Sequence, residues 1–329
     1  STISDVLTNF TTGNEIVNYT VTPTSSLGCA GNSFPVNVTV RPAPVGSNST
    51  ETRCSDVVLG VNPTTSGTAV AAATYNITNI ATGGLTASAG APVTGTGFPA
   101  TEIAADAWTN TGLNPVNVVY TIVPVSAAGC AGASFTVTVT VNPEPVGNNS
   151  TVTRCSDNAV NVTLTTNLTS VAAATYNIVV TDNGLTLSSG TDSNGNGKAA
   201  NELVDDVWTN TGAVPVNVIY TVTPVSATGC QGNPFTVTAT INPEPVGSNS
   251  SATICSDLPL GINLTTSGAS VAAAAYNITN IANGGLVASA GAPAVGNGFA
   301  ANVIADDAWT NTGLAPVNVV YTIVPVRAA

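Results

Sequence analysis

The side chains that could do chemistry in this chain are carboxylates: seventeen Asp and Glu, against five Lys and Arg and no His. Adjacent acids stand at Asp205-Asp206 and Asp306-Asp307, and two carboxyls are what general acid–base catalysis of glycosidase type requires. Neighbouring residues on a strand point to opposite faces, so neither pair converges on one atom. Without histidine there is no histidine triad and no imidazole metal site. The one lysine, Lys198, lacks a Ser-x-x-Lys context, and no Gly-x-Ser-x-Gly elbow occurs. These residues do not make an enzyme.

A hard cation is the other chemistry that carboxylates offer. Asp192-Ser-Asn-Gly-Asn-Gly197 matches the first half of a calcium loop, with Asp192, Asn194 and Asn196 as alternate oxygen ligands. The closing acid is out of place: position twelve is Leu203, and Glu202 sits one residue early. The corresponding stretches around Gly95 and Gly296 carry no aspartate. An ordinary Asn/Gly turn is the plainer reading. A second Ca²⁺ reading uses Glu144 or Glu244 with Asp157 or Asp257, but nothing in the spacing fixes a ligand geometry. Trp108, Trp208 and Trp309 could stack on sugar rings. Leu7 fills the matched place near the N-terminus, so a core position explains them more simply.

These residues recur, and the recurrence defines the organisation. Asp106-Ala-Trp-Thr-Asn-Thr-Gly112 returns at 206–212 and 307–313; Cys-Ser-Asp recurs at Cys54, Cys155 and Cys255; Gly-Cys recurs at Cys29, Cys130 and Cys230. Asn-Pro-Glu-Pro-Val-Gly appears at Asn142 and Asn242, with Arg-Pro-Ala-Pro-Val-Gly at Arg41. A period of about a hundred residues is the size of a small domain. It divides the chain into the C-terminal part of a repeat (1–43), two complete repeats (44–143 and 144–243) and a repeat cut before its last strand (244–329). The expected parent is a longer protein, so the missing signal peptide is uninformative.

Composition narrows the partners. A net charge of −12 leaves no basic patch to neutralise phosphates, which excludes nucleic acid and disfavours anionic membrane surfaces. No apolar run is long enough to span a bilayer. Phe135-Thr-Val-Thr-Val-Thr-Val141 alternates strictly, putting Val137, Val139 and Val141 on one face of a strand and threonines on the other. Val116–Pro124, joined to it through a small Gly-bearing connector, completes an antiparallel hairpin. Val70–Ile80 and Gly84–Gly90 are further strands. About seven short strands per hundred residues predict tandem immunoglobulin-like β-sandwiches, an all-β fold. Tyr120, Tyr220 and Tyr321 stand where a buried tyrosine anchors a corner by its hydroxyl.

The run from Asp106 to Pro145, DAWTNTGLNPVNVVYTIVPVSAAGCAGASFTVTVTVNPEP, and the Cys-Ser-Asp upstream of it resemble the PKD-like repeats of very large Bacteroidota surface adhesins. The resemblance implies Ig-like sandwiches, export by the type IX pathway, an extracellular, cell-surface location and kinship with gliding-motility adhesins. It implies no ligand.

Six cysteines at matched places point to disulfides in an oxidising compartment. Two pairings are equally regular by spacing. Cys29–Cys54, Cys130–Cys155 and Cys230–Cys255 join neighbouring repeats; Cys54–Cys130 and Cys155–Cys230 stay within one. If the first strand enters at the end where the last hairpin turns, the within-repeat bridges form, each contributing about 4.5 kcal/mol by closing its loop. Cys29 and Cys255 then find partners outside this sequence. Pro143-Glu-Pro145 and Pro243-Glu-Pro245 end the last strands and stiffen the joints. The expected protein is therefore a non-enzymatic adhesin stalk that binds no cofactor and whose partners are its own neighbouring repeats. Glycan binding by the repeats, or self-association into a filament or surface layer, are the alternatives.

Overall fold

The computed structural model describes Thr2–Arg327, and every regular element is a strand except one short 3-10 turn at Glu102–Ala105. The chain folds as two compact units. One contains Ser1–Gly147, Thr166–Ala174 and Pro224–Asn233; the other contains Asn148–Thr165, Thr175–Thr223 and Pro234–Ala329.

In the first unit the alternation reads out as expected. Phe135–Asn142 is a strand in which every second residue is buried, and Val137, Val139 and Val141 are at most 1% exposed. Each buried valine contributes about 1.5–3 kcal/mol of hydrophobic stabilisation. This strand pairs antiparallel with Val116–Ser126, from Val116 opposite Val141 to Ile122 opposite Phe135. The sheet has five strands in the order Ser49–Cys54, Phe135–Asn142, Val116–Ser126, Ala72–Ala81, Gly95–Phe98. A two-stranded sheet, Thr86–Ala89 with Ala107–Thr109, supplies Trp108, which joins the core with Tyr75, Ile77, Ile103, Tyr120 and the valines. Glu15–Val21 and Phe34–Val40 form a separate hairpin in this unit.

The second unit repeats the five-stranded order with Ser150–Cys155, Phe235–Asn242, Val216–Ser226, Ala173–Thr181 and Gly195–Lys198. It also holds a three-stranded sheet of Gly296–Phe299, Ala275–Ala282 and Val320–Val326. Beside Val320–Val326 lies an open groove of about 590 Å³, floored by Leu264, Tyr276, Ile304, Tyr321 and Ile323. All-β tandem sandwiches of immunoglobulin-like type are what the chain forms.

One feature of topology departs from expectation. The first strand of the sheet, Ser49–Cys54, runs parallel to the last strand, with Ser49 opposite Val137 and Cys54 opposite Asn142. Cys54 therefore lies at the far end of the sheet from the turn that precedes Phe135. Seven residues at ~3.3 Å separate Asn142 from Phe135, about 23 Å, against a limit of roughly 7 Å between bridged Cα atoms. A Cys54–Cys130 bridge has no geometry in this fold. Ser150–Cys155 pairs with Phe235–Asn242 in the same parallel sense, which removes Cys155–Cys230 as well.

Candidate functional site

The recurrent motifs converge on one internal structure. Trp108 donates its indole Nε1–H to the Tyr120 hydroxyl at 3.0 Å. Tyr120 in turn donates to Asp106 Oδ2 at 2.8 Å. The same relay runs Trp208–Tyr220–Asp206 at 2.7 and 2.9 Å, and Trp309–Tyr321–Asp307 at 3.1 and 2.7 Å. The tyrosine hydroxyl is anchored, as expected of a corner, but to a carboxylate and an indole. Tyr120 and Tyr220 are completely buried. Burial first, and then the neighbouring carboxylate, pushes both phenols far above their ordinary range. Burial likewise raises Asp106 and Asp206. Such a tyrosine holds its proton and works as a bracket.

Asparagine closes the next bond. Asn110 is 2% exposed, and its amide donates to Val141 O at 2.8 Å and Asn114 O at 3.0 Å, while its oxygen accepts from Gly112 N–H. Its backbone N–H donates to Ser55 Oγ at 2.8 Å, and Thr109 Oγ donates to Asp56 Oδ1 at 2.6 Å. Cys-Ser-Asp and Trp-Thr-Asn-Thr-Gly, about fifty residues apart, are thus two halves of one clamp. The second complete repeat makes it with Asn210, Ser156 and Asp157. Sequence reasoning missed this pairing; the near-constant spacing between the two motifs was the available signal.

The Pro-Glu-Pro glutamate completes the arrangement. Glu144 is buried, and burial followed by the Asp56 carboxylate pushes it up to about 7. Glu244 is raised by burial and by Asp157. Each glutamate therefore faces the Cys-Ser-Asp acid of the repeat that precedes it. Asp257, the other proposed junction ligand, bonds instead to Thr310 Oγ at 2.6 Å. No group of three or more His, Cys, Asp or Glu among the described residues is placed to hold a metal ion.

In the turn carrying Asp192, Asn194 and Asn196, one side-chain oxygen of each of the first two is engaged by a backbone N–H. Asp192 Oδ1 accepts from Asn194 N–H, and Asn194 Oδ1 accepts from Val180 N–H. The Lys198 ammonium reaches Asp192 O at 2.7 Å and Glu202 Oε1 at 2.9 Å. Asn196 takes no part in these bonds. The turn carries its own cation, a lysine ammonium. The paired acids diverge: Asp206 and Asp307 are buried in the relays, while Asp205 and Asp306 are exposed. The tryptophans are 4–8% exposed, so no indole face is open to a sugar.

Cys54 is joined to Cys230, with Cα atoms 5.3 Å apart, a pairing that matches neither regular series. Cys29, Cys130, Cys155 and Cys255 are thiols. The bridge has a structural cause within the first unit. A Cβ on Gly232 would overlap the carbonyl oxygen of Pro145, as one on Gly132 would overlap that of Pro44. Glycine lets each hairpin tip seat on the proline linker preceding its own repeat. For the 224–233 hairpin, that seat lies beside Cys54 at the end of the parallel first strand.

A family model described as a PKD-like domain matches residues 1–44, 51–145 and 152–245. The chain belongs to the PKD-like domain family. No curated protein matches it. Among solved structures, this PKD-like chain is similar to the mouse clustered protocadherin PcdhgC3 EC1-3, at 11% identity and a TM-score of 0.26, covering 71% of this chain and 78% of that one. Drosophila N-cadherin EC1-4 follows at 10% identity and TM-score 0.23, covering 96% and 83%. Human CDH23 EC21-23 stands at 11% and 0.22, covering 82% and 90%. These superpositions are loose. No helix among the described residues is long and apolar enough to cross a membrane.

Proposed function

We propose that these PKD-like repeats are a non-catalytic, tension-bearing segment of a large secreted bacterial surface adhesin, of the gliding-motility type found in Bacteroidota. One observation carries the reading: the residues that recur from repeat to repeat are turned inward. Asp, Trp and Tyr form a buried relay, Asn and Ser form a clamp between two motifs, and Gly seats a hairpin on a linker. What repetition preserves is the integrity of the repeat. A binding or catalytic array would repeat exposed chemistry instead, and the buried indoles disfavour direct glycan recognition.

The test is on intact cells of the source organism, with beads coated in antibody against one repeat. Beads that bind and travel along the surface support a motility-coupled adhesin. Beads that bind and remain fixed overturn the motility part of the reading. Absence of binding, with the protein detected in lysed cells, overturns the surface location.

A further inference from the structure

We propose that Cys155 is one half of an inter-repeat staple, in which the first-strand cysteine of one repeat takes the hairpin cysteine of the next. Cys54 with Cys230 is the closed example. Cys54 ends a strand parallel to the last strand of its repeat, opposite Asn142. Cys230 follows the turn Ser226–Gly229, in which Ser226 N–H bonds Cys230 O and Cys230 N–H bonds Ser226 Oγ.

The second unit rebuilds the same surroundings at Cys155. Cys155 ends its own parallel strand, opposite Asn242, and its thiol is exposed. Pro325 and Val326 stand at the positions of Pro224 and Val225, so Arg327 stands at that of Ser226. Arg327 Nη1 lies 4.0 Å from Cys155 Sγ and 3.5 Å from Pro243 O. The side chain at the position that leads into a hairpin is thus already beside Cys155, the cysteine that corresponds to Cys54. The partner that fits is a Gly-Cys hairpin of this same repeat type. Cys130 is the complementary half: it sits on a hairpin whose tip, at Gly132, is seated on the Pro44 linker, facing the repeat before it.

The chemistry balances as thiol–disulfide exchange. Two thiols lose two protons and two electrons to a disulfide oxidant such as oxidised glutathione; its S–S bond breaks to give two thiols, and the protein S–S bond forms. The closed bridge spans 176 residues, so a staple from Cys155 would begin inside the loop that Cys54–Cys230 closes and end outside it. Successive loops interlock.

The test lengthens the full chain at its C-terminus with a copy of residues 229–242, which supplies a Gly-Cys hairpin and a last strand for the open groove. After oxidation with glutathione, non-reducing peptide mapping should find the appended cysteine joined to Cys155, with Cys255 alkylated. A bridge from the appended cysteine to Cys255, or alkylation of both the appended cysteine and Cys155, would overturn the rule. The unlengthened Cys54→Ser variant checks the same rule without new sequence. Cys230 should become alkylatable, with Cys155 still free; a Cys155–Cys230 bridge in that variant contradicts the proposal.

Discussion

Residues 5–40 and 106–142 carry corresponding motifs and share the tyrosine–aspartate and asparagine–carbonyl bonds, yet only in the second does the alternating strand reach a buried core. Tyr19 donates to Asp5 Oδ2 at 2.9 Å, and Tyr120 to Asp106 Oδ2 at 2.8 Å. Asn9 reaches Val40 O at 2.8 Å, as Asn110 reaches Val141 O. Phe34–Val40, however, alternates only between exposed and half-buried, where Phe135–Asn142 alternates between buried and half-buried. Residues 44–143 supply a first strand and a facing layer around Trp108; at 5–40 Leu7 stands in the tryptophan's place. The hydrogen bonds form locally in either setting, and burial is what turns them into a core.

The comparison can be broken most severely at the tyrosines. Tyr120→Ala should cost about 4 kcal/mol, as large-to-small core changes do, and should unfold its repeat first in a denaturant titration read by proteolysis. Tyr19→Ala, at a half-buried site on a strand with no buried residue, should cost far less. Equal losses at the two positions would remove the distinction. Trp108→Leu makes the buried relay resemble the Asp5, Leu7, Tyr19 version. It should cost about 2 kcal/mol through lost packing and a lost indole bond, while the Tyr120–Asp106 bond survives. A loss no larger than that of an exposed substitution would show that the indole is not part of the core.

The last effect is electrostatic and sharpens the contrast, because Ala43 replaces Glu144 in the linker before residue 44. Glu144 rises from 4.5 to about 7 on folding, so between those values the native state binds a proton that the unfolded chain does not. Its contribution is fully present below about pH 4.5 and is lost as pH rises through 7. Thermal melts should therefore show stability falling from pH 5 to pH 8, and Glu144→Gln should flatten that slope. An unchanged slope would relocate the titration to other acids, such as Asp106 or Asp206.

Strand identity was legible because valine and threonine alternate with period two, and the hairpin was legible because a small Gly-bearing connector separates two such runs. The direction of Ser49–Cys54 was not. Parallel and antiparallel first strands look alike in sequence, and the disulfide pairing hung on that choice. Lys198 was legible as the sole lysine, but its ammonium's place in the Asp192 turn depends on a fold that brings residue 198 back across 192. The clamp was half legible: both motifs were visible as repeats, while their contact is set by sheet closure.

The central claim is that recurrent residues hold each repeat together and that a staple binds one repeat to the next. Single-molecule stretching of the oxidised chain, repeated after reduction, tests it most directly. The account predicts discrete unfolding peaks in both states. Reduction should release an extra length of roughly 600 Å, from the 176-residue separation at ~3.5 Å per extended residue. Featureless extension, or the same final length before and after reduction, would contradict it.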